Sequence, residues 1–205
     1  MVYKGFKFGL LLQLAIGPVF VFVIKTATGS GILAAEAAVL AATLIDALFV
    51  VLAILGIGKL IDKPGFKIIL KYFGIIVLLY FGAGTALSSF GINIIPGFGS
   101  LVNSGNISSS FVLCLILTVS NPLTILFWTG VFASKITAEG FTKNDIRLFG
   151  TGAVMTTFVF LGLVAFLAGL LQPVMTDELM KLLNVVVGIV LICFSIKLFM
   201  KKSPG

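Results

Sequence analysis

The least expected residue in this sequence is Asp46, an acidic side chain in the middle of the apolar segment 41–50. An ionisable group far inside an apolar span is costly, and such residues mark ion or substrate pathways. The predicted spans offer no Lys or Arg as a fixed partner, so burial favours the protonated form of Asp46. We expect Asp46 to carry a proton; the alternative is a structural Asp that bonds only to neighbouring helices.

A second carboxylate, Glu36, lies ten residues before Asp46 in the same apolar segment. On a helix, Glu36, Thr43 and Asp46 fall on one narrow stripe. The two acids are about 15 Å apart along the axis, with Glu36 nearer to one membrane surface. Glu36 is either a second proton-coupling residue or an interfacial carboxylate.

Two proline breaks interrupt otherwise apolar runs, at Gly17–Pro18 and at Asn121–Pro122. A proline removes one backbone donor and displaces the carbonyl four residues earlier. In hydrocarbon, such breaks survive only where they face protein or a water-lined cavity. A half-helix begins after each break, and its free N–H groups and positive dipole end would suit a carboxylate.

Neutral polar residues flank both breaks, and they could add hydrogen bonds to a bound ligand. Gln13 lies one turn before Gly17, and Thr124 follows Asn121 by three residues. The alternative is that the polar residues of this segment only hold helices together. The predicted substrate-binding set is Gln13, Gly17, Pro18, Asp46, Asn121, Pro122 and Thr124.

The composition indicates an all-α integral membrane protein. Of 205 residues, 60% are hydrophobic and only 10% are charged, whereas about a quarter of the residues in a soluble domain are charged. The length suits one transmembrane domain over 1–205. The N-terminal apolar run lacks a small-residue cleavage site and is interpreted as a retained first span.

Gaps between charged residues predict six transmembrane spans, and the charges between them predict their orientation. The spans are about 8–24, 31–57, 72–87, 109–132, 148–171 and 182–196. Twelve Lys and Arg residues then lie on one side, and only Lys25 and Lys181 lie on the other. The positive-inside rule places both termini in the cytoplasm. The net charge of +7 is therefore attributed to orientation and not to nucleic-acid binding.

The two halves of the chain resemble each other. Besides the paired breaks, Gly74 begins the apolar run of the third span and Gly188 begins that of the sixth. A repeat of three spans places its second copy upside down in the membrane, and paired broken helices then indicate a midplane site. We expect two inverted three-helix repeats, about 1–90 and 109–200.

The two cysteines, Cys114 and Cys193, both lie in apolar segments. They are expected to be small buried residues. With no C-x-x-C spacing and no His in the sequence, we expect neither a metal site nor a cofactor. A membrane thiol–disulfide carrier that uses both cysteines is a distant alternative.

The segments Leu12–Pro18 and Ser120–Trp128, together with Asp46 between them, resemble the LysE/RhtB family of prokaryotic amino-acid exporters. The resemblance extends over the whole chain, including both breaks and the glycine-led third and sixth spans. It departs at Leu123, where many relatives have Lys, and in the loop between the third and fourth spans, which lacks basic residues here.

This resemblance implies a non-enzymatic secondary active exporter of amino acids or similar small metabolites in the cytoplasmic membrane. Export is expected to be driven by coupling to protons. A homo-oligomer is possible. The alternative within transport is efflux of a metal cation or another small solute, as in distant members of the superfamily. The absence of His and Cys from the predicted site argues against soft metals.

Overall fold

The structure is a computed structural model that describes residues 1–13, 17–55, 64–90, 106–120, 131 and 140–200. Within these residues the regular structure is helical, which confirms the predicted all-α class. The helices are α1 Val2–Gln13, α2 Pro18–Ser30, α3 Ile32–Ile54, α4 Pro64–Ser88, α5 Ile107–Val119, α6 Lys143–Gly169 and α7 Asp177–Met200, with a 3₁₀ turn at Gln172–Val174.

Three of these helices are long and apolar enough to cross a membrane: α3, α6 with the following 3₁₀ turn, and α7. Shorter apolar helices occupy Pro18–Ser30, Lys71–Leu87 and Ile107–Val119. On α3 the exposed row Leu40, Leu44 and Leu48 recurs every four residues, so one apolar face is free to meet lipid. The chain is a multi-pass membrane protein.

The first predicted break is present at Gly17–Pro18. Helix α1 ends at Gln13, and α2 begins at Pro18. Gly17 is extended, with φ −119° and ψ 176°, and it caps α2. Pro18 occupies the first turn of α2, where a helix needs no N–H donor and where the fixed φ of proline is favourable.

The prediction that the first span ends at Ile24 is wrong, and so is the placement of Lys25 in an outer connector. Helix α2 continues through Ser30, and Lys25 lies inside it with only 5% of its surface exposed. The helix ends instead at Gly31, whose φ of +91° suits glycine. The charge of Lys25 predicts a span boundary, but the surrounding helices cover this side chain.

Helix α6 also extends beyond its predicted span, and the added first turn contains charged residues. Helix α6 begins at Lys143 because Thr142 and Asp145 form a reciprocal capping box. The Thr142 hydroxyl accepts from the Asp145 backbone N–H at 3.2 Å, and the Asp145 carboxylate accepts from the Thr142 N–H at 3.1 Å. Such a cap satisfies two free donors at the helix start.

Helix α2 lies at the centre of the packing and contacts α3, α5, α6 and α7. Around it, α1 packs on α6, α3 packs on both α5 and α6, and α4 packs on α7. The larger buried cluster includes Val23 of α2, Val39 of α3 and Leu191 of α7, each at most 1% exposed. Side chains on α2 are thereby shielded by several helices at once.

Helix α1 approaches α6 very closely through two glycines. A Cβ at Gly5 would overlap the Phe149 carbonyl, and a Cβ at Gly152 would overlap the Val2 carbonyl. The Thr156 hydroxyl adds a hydrogen bond of 2.9 Å to the Phe6 carbonyl. This contact fixes α1 on α6 and so determines where the last residue of α1, Gln13, lies.

Candidate functional site

Three side chains from three helices form one hydrogen-bonded chain, here called the Asp46 chain: Gln13 of α1, Thr157 of α6 and Asp46 of α3. The Gln13 amide Nε2 donates to the Thr157 hydroxyl at 2.9 Å. The same hydroxyl donates its proton to Asp46 Oδ2 at 2.8 Å. Because an ionised carboxylate can only accept, the Thr157 hydroxyl donates to Asp46 and accepts from Gln13 in this state.

The helices bring these side chains together for separate reasons. Gln13 is positioned by the glycine contact between α1 and α6, and it lies four residues before the extended Gly17. Asp46 is half-buried on α3, which packs along α6. Nearer the start of α3, a Cβ at Gly162 of α6 would meet Glu36 Oε2 at 3.4 Å. Both acids of α3 therefore face α6.

Thr157, the residue that joins Gln13 to Asp46, is not among the site residues predicted from the sequence. The adjacent pair Thr156–Thr157 was the available signal, because two polar side chains in an apolar helix must each find a partner. The two bond differently: Thr156 donates to the α1 backbone, and Thr157 donates to Asp46. Sequence alone could not tell which one faces Asp46.

The structure brings some of the predicted site residues together, and others lie outside the part of the chain that it describes. Gln13 and Asp46 meet through Thr157, and Gly17 and Pro18 form the start of α2 that follows Gln13. Asn121, Pro122 and Thr124 lie outside the described residues, as α5 ends at Val119. Their roles, and the substrate-binding and proton-coupling roles of the others, stay predictions.

Other polar residues near the site bond within their own helices. The Thr118 hydroxyl donates to the Cys114 carbonyl at 2.7 Å, and the Ser120 hydroxyl donates to the Ile116 carbonyl. The Thr43 hydroxyl likewise donates to the Val39 carbonyl at 2.8 Å. These bonds satisfy the hydroxyls locally, which favours the structural interpretation for these three residues.

The Asp46 chain can hold and orient a carboxylate, and it leaves capacity for a ligand. Asp46 Oδ2 accepts from Thr157, while a carboxylate has room for about four hydrogen bonds. Among the described residues, no group of three His, Cys, Asp or Glu side chains could hold a metal ion. Both cysteines are free thiols. Cys114 is buried as expected, but the prediction that Cys193 is buried is wrong, because it lies on the exposed face of α7.

The family of this chain follows from a comparison with known proteins. The profile of the LysE type translocators matches residues 10–202, nearly the whole sequence. The chain belongs to the LysE type translocator family. This confirms the resemblance found in the sequence and places the protein among membrane transporters and not among enzymes.

The names of similar proteins fit this assignment. A Bacillus subtilis (strain 168) protein named "Putative amino acid efflux protein YcgF" is 26% identical over 190 residues, which cover 91% of this chain and 88% of that protein. A leucine efflux protein of Enterobacter sp. (strain 638) is 28% identical over 188 residues, covering 89% and 87%. The leucine efflux protein of Salmonella choleraesuis (strain SC-B67) is 26% identical over 191 residues, covering 91% and 89%. No solved structure gives a significant match.

Proposed function

We propose that this LysE family translocator is a secondary active exporter of amino acids that exchanges its substrate for protons at Asp46. The observation that carries the proposal is the Asp46 chain, in which an acid of the helical bundle is hydrogen-bonded across three helices. Its Gln13 lies four residues before the extended Gly17 that caps α2. Acids at such depth serve ion and substrate pathways far more often than packing.

The substrate class is an α-amino acid with an apolar side chain. Relatives named as leucine efflux proteins support this choice. In the proposed site the substrate carboxylate meets the free N–H groups at the start of α2 after Gly17, where the helix dipole is positive. The substrate ammonium meets Asp46, for which it competes with a proton.

This competition supplies the coupling. When the substrate ammonium leaves Asp46, the carboxylate takes up a proton because a charged acid is costly in that surrounding. Proton uptake on one side and release on the other then drive the substrate outward. Asn121, Pro122 and Thr124 complete the proposed site from the fourth span, and Glu36 is proposed as a second proton-coupling residue nearer the outer surface.

The proposed architecture is a single domain of six spans in two inverted repeats. Its support is the pattern of helix contacts: α3 packs on its proposed counterpart α6, and α4 packs on its counterpart α7. The contact of α1 with α6 is matched by that of α5 with α3. Contacts that exchange in this way are expected when two repeats are related by a pseudo-twofold axis.

The proposed location is the cytoplasmic membrane of a prokaryote, with both termini inside the cell. Removing Lys25 from the outer connectors leaves only Lys181 there, which strengthens the asymmetry of basic charge. A periplasmic or external reporter fused after Gly205 is expected to be inactive, while a cytoplasmic reporter there is active. The opposite pattern would reverse the orientation.

The function is tested by transport into inside-out membrane vesicles. With an acidic lumen, vesicles that contain the protein are expected to accumulate radiolabelled L-leucine above its external concentration. A protonophore should abolish the accumulation. If no proteinogenic amino acid accumulates while the protein is folded and inserted, amino-acid export is wrong; accumulation that ignores the protonophore would overturn proton coupling alone.

A further inference from the structure

Lys25 in the middle of α2 has no hydrogen-bond partner for its ammonium Nζ among the described residues, although the side chain is only 5% exposed. A buried charge without a partner is strongly destabilising. The side chain cannot be explained as a snorkelling residue, since its nitrogen is itself buried. The Lys25 nitrogen therefore has hydrogen-bonding capacity that the described residues do not use, and an anionic ligand could use it.

Two other polar atoms share this condition. Within the described part of the chain, the buried side-chain atoms without a hydrogen-bond partner are Lys25 Nζ, Ser89 Oγ and Asn184 Oδ1. They come from three different helical regions: Lys25 from α2, Ser89 from the turn after α4, and Asn184 from α7. Their helices place them at one level of the bundle.

Lys25 and Asn184 are brought level by the contact of α2 with α7. A Cβ at Gly29 would meet the Met180 side-chain Cε at 2.8 Å. Helix α7 begins beside the end of α2, so the two helices are antiparallel, and both extend from this contact into the bundle. Lys25 and Asn184 each lie one turn, about 6 Å, further into the bundle.

Ser89 is brought to the same level by the contact of α4 with α7. A Cβ at Gly188 would meet the Ala86 Cβ at 2.6 Å, and the Ser195 hydroxyl donates to the Ile75 carbonyl at 3.1 Å. These two contacts show that α4 and α7 are antiparallel. From the Gly188 contact, Ser89 and Asn184 both lie about one turn toward the Gly31 end of the bundle.

Lys25 and the Asp46 chain lie on different sides of α2. Phe20 of α2 stacks on Phe160 of α6 with ring centroids 6.2 Å apart, and it lies about 180° around α2 from Gly29. Lys25 lies only about 40° from Gly29, so it shares the α7 side of α2. Asp46 bonds to α6, on the opposite side of α2.

We propose that Lys25, Ser89 and Asn184, here called the Lys25 group, form a second binding site for the α-carboxylate and α-ammonium groups of an amino acid. The ligand carboxylate accepts hydrogen bonds from the Lys25 ammonium and the Ser89 hydroxyl. The ligand ammonium donates to Asn184 Oδ1. One zwitterion thus satisfies all three buried atoms, whereas a water molecule would leave the charge of Lys25 uncompensated.

The ligand class rests on the proposed function, and the position gives the site its place in that function. It lies at the Gly31 end of the bundle, about 9 Å along α2 from Gly31, whereas Asp46 is fifteen residues beyond Gly31 on α3. The site therefore lies nearer that end of the bundle than Asp46 does, and it binds only the groups that all amino acids share.

The test is equilibrium binding of radiolabelled L-leucine to purified full-length protein that carries Asp46→Asn, which isolates the second site. Adding Lys25→Met is expected to weaken binding about tenfold to a hundredfold, as for loss of hydrogen bonds to a charged group. Glycine should compete with leucine, while glycinamide and acetate, each lacking one charged group, should compete poorly. The matched control is Lys181→Met on the exposed surface of α7, which should leave binding unchanged.

Unchanged binding after Lys25→Met would overturn the second site and leave the proposed export intact. Conversely, Lys25-dependent binding of glycine in a protein that transports no amino acid would support the site and reject the export function. If Lys25→Met does not fold, the double variant Ser89→Ala with Asn184→Leu replaces it. Normal leucine binding by that double variant would equally overturn the inference.

Discussion

The Asp46 chain and the Lys25 group are two polar regions in one apolar bundle, and they differ in how far the protein satisfies them. Asp46 accepts a hydrogen bond from Thr157, which in turn accepts one from Gln13. In the Lys25 group, Nζ of Lys25, Oγ of Ser89 and Oδ1 of Asn184 have no partner among the described residues. The hydrogen bonds of the first region hold an acid in place. The unpartnered atoms of the second region are available to bind a ligand.

The difference has an energetic meaning. A buried polar group with its partners contributes modestly to stability, whereas one without partners costs about 1–3 kcal/mol. The protein therefore carries a stability cost at the Lys25 group that it avoids at the Asp46 chain. Substitutions in the two regions should change stability in opposite directions, and the following experiments test this contrast.

Asp46→Asn should have the largest effect, because it removes the only titrating group of the Asp46 chain. We expect accumulation of L-leucine driven by an acidic vesicle lumen to fall to the level of vesicles without the protein. Size-exclusion elution should remain normal, since an amide oxygen can still accept from Thr157. The control is Asp177→Asn on the exposed first turn of α7; accumulation by Asp46→Asn equal to that of this control would leave Asp46 a structural role only.

Gly152→Leu should disrupt the Asp46 chain by forcing α1 away from α6. Its side chain would enter the space of the Val2 carbonyl, and such overpacking costs about 1–3 kcal/mol or more. A lower thermal unfolding midpoint in detergent and loss of transport are expected. Gly65→Ala, at a position with nothing within 4 Å, should not lower the midpoint, and equal effects of both changes would contradict the close contact.

Thr157→Val should remove both hydrogen bonds of the Asp46 chain while keeping the shape of the side chain. The free energy of unfolding is expected to fall by about 1–3 kcal/mol, because two half-buried partners lose their hydrogen bonds. Thr157→Ser should restore most of the stability and of leucine accumulation. Thr151→Val, on an exposed position of the same helix, is the matched control, and a Thr157→Val protein as stable and active as this control would show that the chain is dispensable.

Lys25→Met should have the smallest effect and the opposite sign. Without amino acid present, replacing an unpaired buried ammonium by an apolar side chain of similar length is expected to raise the free energy of unfolding by about 1–2 kcal/mol. Lys181→Met, at an exposed site, should change it by no more than about 0.5 kcal/mol. A clear loss of stability in Lys25→Met would mean that the ammonium is already satisfied, and the contrast between the regions would disappear.

Much of the fold could be predicted from the sequence, because the decisive signals are local. The apolar runs gave α3, α6 and α7 to within a few residues at most ends, and the Gly17–Pro18 pair gave the start of α2. Asp46 stood out since an acid in an apolar span has few explanations. Each of these features depends on neighbours in the chain.

The remainder depends on contacts between distant segments. Thr157 is 111 residues from Asp46 and 144 from Gln13, so its role follows from how α1, α3 and α6 pack. Lys25 was assigned to a connector because charged residues usually end apolar spans, but α7 and its neighbours cover this one. Whether a polar atom has a partner is a property of packing, and the sequence pattern does not contain it.

The connection between α2 and α3 is a single residue, Gly31, which ends one helix and starts the next. The backbone N–H of Gly31 donates to the Ala27 carbonyl at 3.2 Å, and its own carbonyl accepts from Ala35. A link of one residue, with α2 packed along α3, would make the two helices tilt together as one lever, with the extended Gly17 as the expected pivot. Tilting that lever would shift Lys25 on one arm and Asp46 on the other together, so the opening of one polar region would be mechanically tied to the state of the other.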